Sequence, residues 1–130
     1  MRNGRFDTAA KFLGNPRTVE YFEGESIYPI NVEFSISGVC QANCRKCFYR
    51  VDDNRLKGHE KRYFDMERMR ILVREFAECG VKSISWTGGG EPTNHPDFDE
   101  ITRIVKAAGL IQDLFTNALS EIWYDPSLME

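Results

Sequence analysis

The sequence has no long apolar run. No stretch approaches the ~20 apolar residues that a helix needs to cross a bilayer, and the opening MRNGRFDTAAKFLGNPR lacks the apolar core of a secretory leader. It has no basic excess either, with 17 Lys and Arg against 20 Asp and Glu and a net charge of −3. That balance removes the simplest argument for a nucleic-acid partner, which usually leaves a basic footprint. The basic group of Arg45, Lys46 and Arg50 reads as a solvated loop face. Internal repeats and low-complexity tracts are missing, and 130 residues suit one modest domain with one core. With neither leader nor span, the expected location is cytoplasmic. In that reducing setting four cysteines point to metal or redox chemistry before disulfides.

Residues 1–27 carry no sustained period, and Gly4, Gly14 and Pro16 interrupt any helix, so this stretch is expected to be an irregular lead-in or short hairpin. Residues 28–130 form the expected domain. Ile30, Val32, Phe34 and Ile36 alternate with Asn31, Glu33 and Ser35, as in a strand with two unlike faces. Residues 48–64 are polar and aperiodic and read as a long connecting loop. Asp65 then caps a helix whose stripe is Met66, Met69, Leu72, Val73, Phe76 and Ala77, with Gly80 as its left-handed stop. The Met66–Met69 pair follows this packing stripe rather than a thioether metal site. A strand over 82–86, a glycine turn, a helix over 97–108 stopped by Gly109, and a strand over 110–115 complete the pattern. Trp86 and Phe115, at strand ends, read as core aromatics. Alternating strands and helices with short connections predict parallel strands, and in such sheets ligands gather at the carboxyl ends.

Two motifs fall at those ends. Cys40, Cys44 and Cys47, spaced C-x3-C-x2-C, place three thiols in one polar loop. Thiolates are soft ligands, and the spacing alone suits either an iron–sulfur cluster or zinc. Gly88, Gly89, Gly90, Glu91 and Pro92 form the second motif. Its glycines permit close approach of backbone to a ligand. It lacks the Lys-Ser/Thr of a phosphate loop, and Glu91 would repel phosphate.

Together, the three-cysteine loop after a first strand and the Gly89-Gly90-Glu91-Pro92 turn after a second resemble the radical S-adenosylmethionine superfamily. The longer run Thr87 to Pro96 resembles the extended form of that turn, and Thr116-Asn117-Ala118 resembles the superfamily's Thr-Asn-Gly segment with alanine in place of glycine. The resemblance covers residues 30–117. It implies that Cys40, Cys44 and Cys47 bind three irons of a [4Fe–4S] cluster, while S-adenosylmethionine chelates the fourth. It further implies that Gly89, Gly90 and Glu91 hold the methionine ammonium, that His95 is structural, and that the reaction is reductive cleavage to a 5′-deoxyadenosyl radical acting on a substrate the sequence does not name. An electron donor such as a flavodoxin or ferredoxin is implied as partner. Lys46 stands where the family usually has an apolar residue near the adenine; Phe48 and Tyr49 follow it.

The implied fold is α/β: the first three βα units of a partial TIM-type (β/α)6 barrel. Three strands cannot close a barrel, so the expectation is a truncated core, a split protein completed by another chain, or a homo-oligomer that covers the open edge. Residues 120–130 read as a short terminal helix. Two further readings stand beside the enzyme: a partner-dependent module that binds the cofactors without catalysis, and a zinc-stabilised domain using the three cysteines with Cys79 or His59. Cys79 reads as a packed helix-end thiol and His59 as a solvated loop residue.

Overall fold

The computed structural model describes residues 14–42, 44–47, 49 and 62–119. Its elements are α1 (Pro16–Phe22), β1 (Asn31–Ser35), α2 (Met66–Glu78), β2 (Ser83–Thr87), a 3-10 turn (Pro92–Asn94), α3 (Phe98–Ala107) and β3 (Ile111–Leu114). The strands form one parallel sheet in the order β1-β2-β3. Val32 pairs with Ile84, and Ile84 with Gln112.

Both long helices form where the caps and stripes place them. The Asp65 side chain accepts from the Arg68 N–H, and Gly80 leaves α2 at φ 73°. Gly109 leaves α3 in the same way at φ 77°. Met69 and Val73 of α2 and Phe98, Ile101 and Val105 of α3 are buried with Ile84 and Trp86 of β2. An Arg70–Glu100 ion pair joins the two helices at the surface. One polar relay crosses this core: Trp86 Nε1 donates to Gln112 Oε1 at 2.9 Å, and Gln112 Nε2 donates to the Thr102 carbonyl at 2.9 Å. A buried indole needs such an acceptor.

The helices cover one face of the sheet. The alternate face carries Asn31, Glu33, Ser35, Ser83, Ser85, Thr87 and Asp113 together with the exposed Ile111, and is mostly polar. Two sequence-based expectations change. Residues 16–22 of the expected irregular lead-in are helical, because Asn15 accepts from the Arg17 N–H and Pro16 takes the first helical position, where its missing N–H costs nothing. Phe115 is 66% exposed rather than core, since it follows β3 on the side that no helix covers among the described residues. The three parallel strands expected are present, and among the described residues they form an open sheet. The long loop is tied at its C-terminal end: Gly38 N–H donates to the Arg62 carbonyl and Phe64 N–H to the Ile36 carbonyl. Residues 50–61, His59 among them, and the expected terminal helix over 120–130 lie outside the described residues.

Candidate functional site

Parallel strands put all three post-strand segments at one end of the sheet: the cysteine loop after β1, the glycine turn after β2 and Thr116-Asn117-Ala118 after β3. The first two are in direct contact. Glu91 N–H donates to the Val39 carbonyl at 2.8 Å. A Cβ on Gly90 would lie 2.5 Å from the carbonyl oxygens of Ser37 and Val39 and 2.6 Å from the Val39 nitrogen, so only glycine fits. The Ser37 hydroxyl fixes the same corner through bonds to the N–H and carbonyl of Val39. Gly89 N–H donates to Ser35 Oγ at 3.1 Å.

Glu91 is 3% exposed and its carboxylate is fully engaged within the chain. Oε1 accepts from the Thr93 hydroxyl at 2.8 Å, from the Thr93 N–H at 3.3 Å and from the Thr116 hydroxyl at 2.6 Å. Oε2 accepts from the Asn117 N–H at 2.8 Å. A buried carboxylate is tolerated when so paired, and here it staples the end of β3 to the turn after β2. The residue singled out as a ligand contact is thus first an internal clasp.

Cys40, Cys44 and Cys47 are exposed. The Cys47 N–H closes a turn onto the Cys44 carbonyl at 3.0 Å, and Asn94 Nδ2 holds Gln41 Oε1 at 2.7 Å. Among the described residues, no three His, Cys, Asp or Glu side chains are gathered as a metal-binding set. The chemistry of the donors nonetheless fits an iron–sulfur cluster: three accessible thiols on one loop, packed beside the glycine corner. Cys79 does not join them. It caps α2 and precedes β2, whereas the cysteine loop packs on the turn that follows β2, a strand length of ~16 Å away. Its carbonyl accepts from Arg17 Nη2.

His95 is structural. Its ring is 1% exposed, Nδ1 accepts from the Asp97 N–H at 3.1 Å, and Nε2 then donates to the Phe64 carbonyl at 2.9 Å. It anchors the return of the long loop. Ala118 adopts φ 57°, the left-handed turn that the superfamily's glycine would make at no cost. Lys46 and Tyr49 are both exposed, and Phe48 is outside the described residues. Sequence reasoning missed the Thr93 and Thr116 hydroxyls, whose signal is the Thr-rich flank of each motif, and the contact between Asn117 and Cys40.

No family model matches the sequence. The chain is 30% identical over 104 residues to the GTP 3′,8-cyclase of Psychromonas ingrahamii, covering 75% of this chain and 30% of that enzyme. It is 33% identical over 98 residues to the GTP 3′,8-cyclase of Haemophilus ducreyi, covering 73% and 27%. Its fold matches Streptococcus suis SuiB bound to S-adenosylmethionine with a TM-score of 0.62 and 21% identity, over 94% of this chain and 25% of that one. The chain therefore spans about a third or less of the length of these proteins.

Proposed function

The chain belongs to the radical S-adenosylmethionine superfamily, matching its N-terminal region, and on that premise we propose that Cys40, Cys44 and Cys47 hold a [4Fe–4S] cluster against which S-adenosylmethionine is bound for reductive cleavage. Held by these three thiols, a [4Fe–4S] cluster would supply the one-electron reduction that cleaves the cofactor's C5′–S bond. The observation that carries the reading is the Gly90 corner, which seats the glycine turn directly on the backbone that leads into Cys40.

The chain's own residues divide the work. The three thiols would hold the cluster. Gly89 and Gly90 bring backbone up against the loop for the methionine ammonium. Glu91, clasped by Thr93, Thr116 and Asn117, fixes that edge and adds negative charge behind it. The polar face of the sheet, with Asn31, Glu33, Ser35 and Asp113, opens toward a substrate of unassigned identity. A cytoplasmic setting, a flavodoxin or ferredoxin as electron donor, and a second chain or further copy along the open β3 edge complete the proposal.

The test is anaerobic reconstitution followed by reduction in the presence of S-adenosylmethionine. Release of 5′-deoxyadenosine, absent in Cys44→Ser, is expected. A cluster without cleavage would favour the partner-dependent module, and stoichiometric zinc without iron would remove both iron readings.

A further inference from the structure

Asn117 stands at the end of β3, 77 residues from Cys40 in sequence, yet its side-chain Nδ2 lies 3.5 Å from the Cys40 sulfur. Three constraints set that approach. Asn117 N–H is held by Glu91 Oε2 at 2.8 Å. Asn117 Oδ1 accepts from the Leu119 N–H at 2.8 Å, which fixes the amide's orientation and turns the NH2 toward Cys40. Ala118 supplies the left-handed turn, and its N–H donates to the Thr116 hydroxyl at 2.9 Å. The Cys40 side of the contact is fixed by the same clasp, because the Glu91 N–H holds the carbonyl of Val39, one residue before the cysteine.

We infer that Asn117 is a potential-setting residue, donating an N–H···S hydrogen bond to the Cys40 thiolate and so raising the reduction potential of the cluster it ligates. The inference rests on the proposed cluster site. Hydrogen bonds to ligand sulfurs withdraw electron density from the thiolate, which favours the reduced cluster. Asn117 is not a ligand; it acts through Cys40. Nothing else is required of the amide, since the local turn uses its oxygen and the backbone clasp uses its N–H. The free NH2 is what the position adds.

The test is a redox titration of the reconstituted full chain, followed by electron paramagnetic resonance, for wild type, Asn117→Asp and Asn117→Ala. Asn117→Asp keeps an acceptor for the Leu119 N–H, so the turn is retained while the donor to sulfur is lost and a negative charge is added. Both variants are expected to show a midpoint more negative than wild type, with aspartate the lower of the two. Iron content and circular dichroism establish that each holds its cluster and fold; if the alanine variant does not, the aspartate variant decides alone. Midpoints unchanged from wild type in the cluster-bearing variants would overturn the inference and leave the cluster site standing. A wild-type chain that takes up no [4Fe–4S] cluster would overturn the reading beneath it.

Discussion

The cysteine loop and the glycine–glutamate turn touch one another, yet they are built in opposite ways. In the turn, the protein supplies its own partners: Glu91 is buried and accepts bonds from two hydroxyls and two backbone N–H groups, and Gly90 is packed so closely that no side chain fits. In the loop, the three thiols are exposed, and the described hydrogen bonds are a turn from the Cys47 N–H to the Cys44 carbonyl, one at Gln41 and one at the Cys40 sulfur. The turn is held by the chain's own bonds, whereas the loop turns its thiols outward. A metal site that gains its order on binding takes part of its stability from the metal, whereas the turn has to be correct beforehand because it positions a small cofactor. Substitutions should therefore separate into two classes: those in the turn cost stability in the cluster-free chain, and those in the loop cost iron without costing stability.

The strongest attempt to break this contrast is Glu91→Ala. It leaves four donors without their acceptor in a buried place and should destabilise the cluster-free chain by about 3–5 kcal/mol, read from the midpoint of urea unfolding. Glu91→Gln keeps one carbonyl oxygen but turns an NH2 toward one of the existing donors, and should lose about half as much. A wild-type midpoint in either variant would mean the clasp has no structural role. Next comes Gly90→Ala, whose methyl meets three backbone atoms that cannot move aside independently; about 1–3 kcal/mol is expected, with iron uptake impaired as well.

Asn94→Ala sharpens the comparison, because this side chain bridges the two regions through Gln41 and the Val39 carbonyl. A loss of about 1 kcal/mol is expected in the same assay, with cluster binding weakened but retained. The smallest stability effect belongs to Cys44→Ser. An exposed thiol replaced by a hydroxyl should shift the cluster-free midpoint by no more than about 0.5 kcal/mol while abolishing iron incorporation, measured by metal analysis after anaerobic reconstitution. A destabilisation as large as that of Gly90→Ala would contradict the division.

Much of this arrangement is legible in the sequence because it is local. The stripe from Met66 to Ala77, the Asp65 cap and the Gly80 and Gly109 stops each act within a turn or two, and both helices begin and end where those residues dictate. The placement of both motifs at strand ends follows from the same local pattern. What escaped is long-range or depends on what lies opposite. Phe115 is apolar at a strand end, yet among the described residues no helix lies over that face and it is exposed. Pro16 reads as an interruption until Asn15 is seen to cap the turn it starts. Glu91 reads as a charge offered to a ligand, because two of its partners, Thr116 and Asn117, lie a βα unit away in sequence. The amide at Cys40 is farther still.

The central claim, that the cysteine loop and the glycine turn form one cofactor site, is tested most directly by electron paramagnetic resonance of the anaerobically reconstituted, reduced chain, recorded with and without S-adenosylmethionine. The account predicts a reduced [4Fe–4S] signal that changes when S-adenosylmethionine is added in the wild type, and a cluster signal indifferent to it in any Gly90→Ala protein that still loads iron. A wild-type signal that does not respond to S-adenosylmethionine would contradict it.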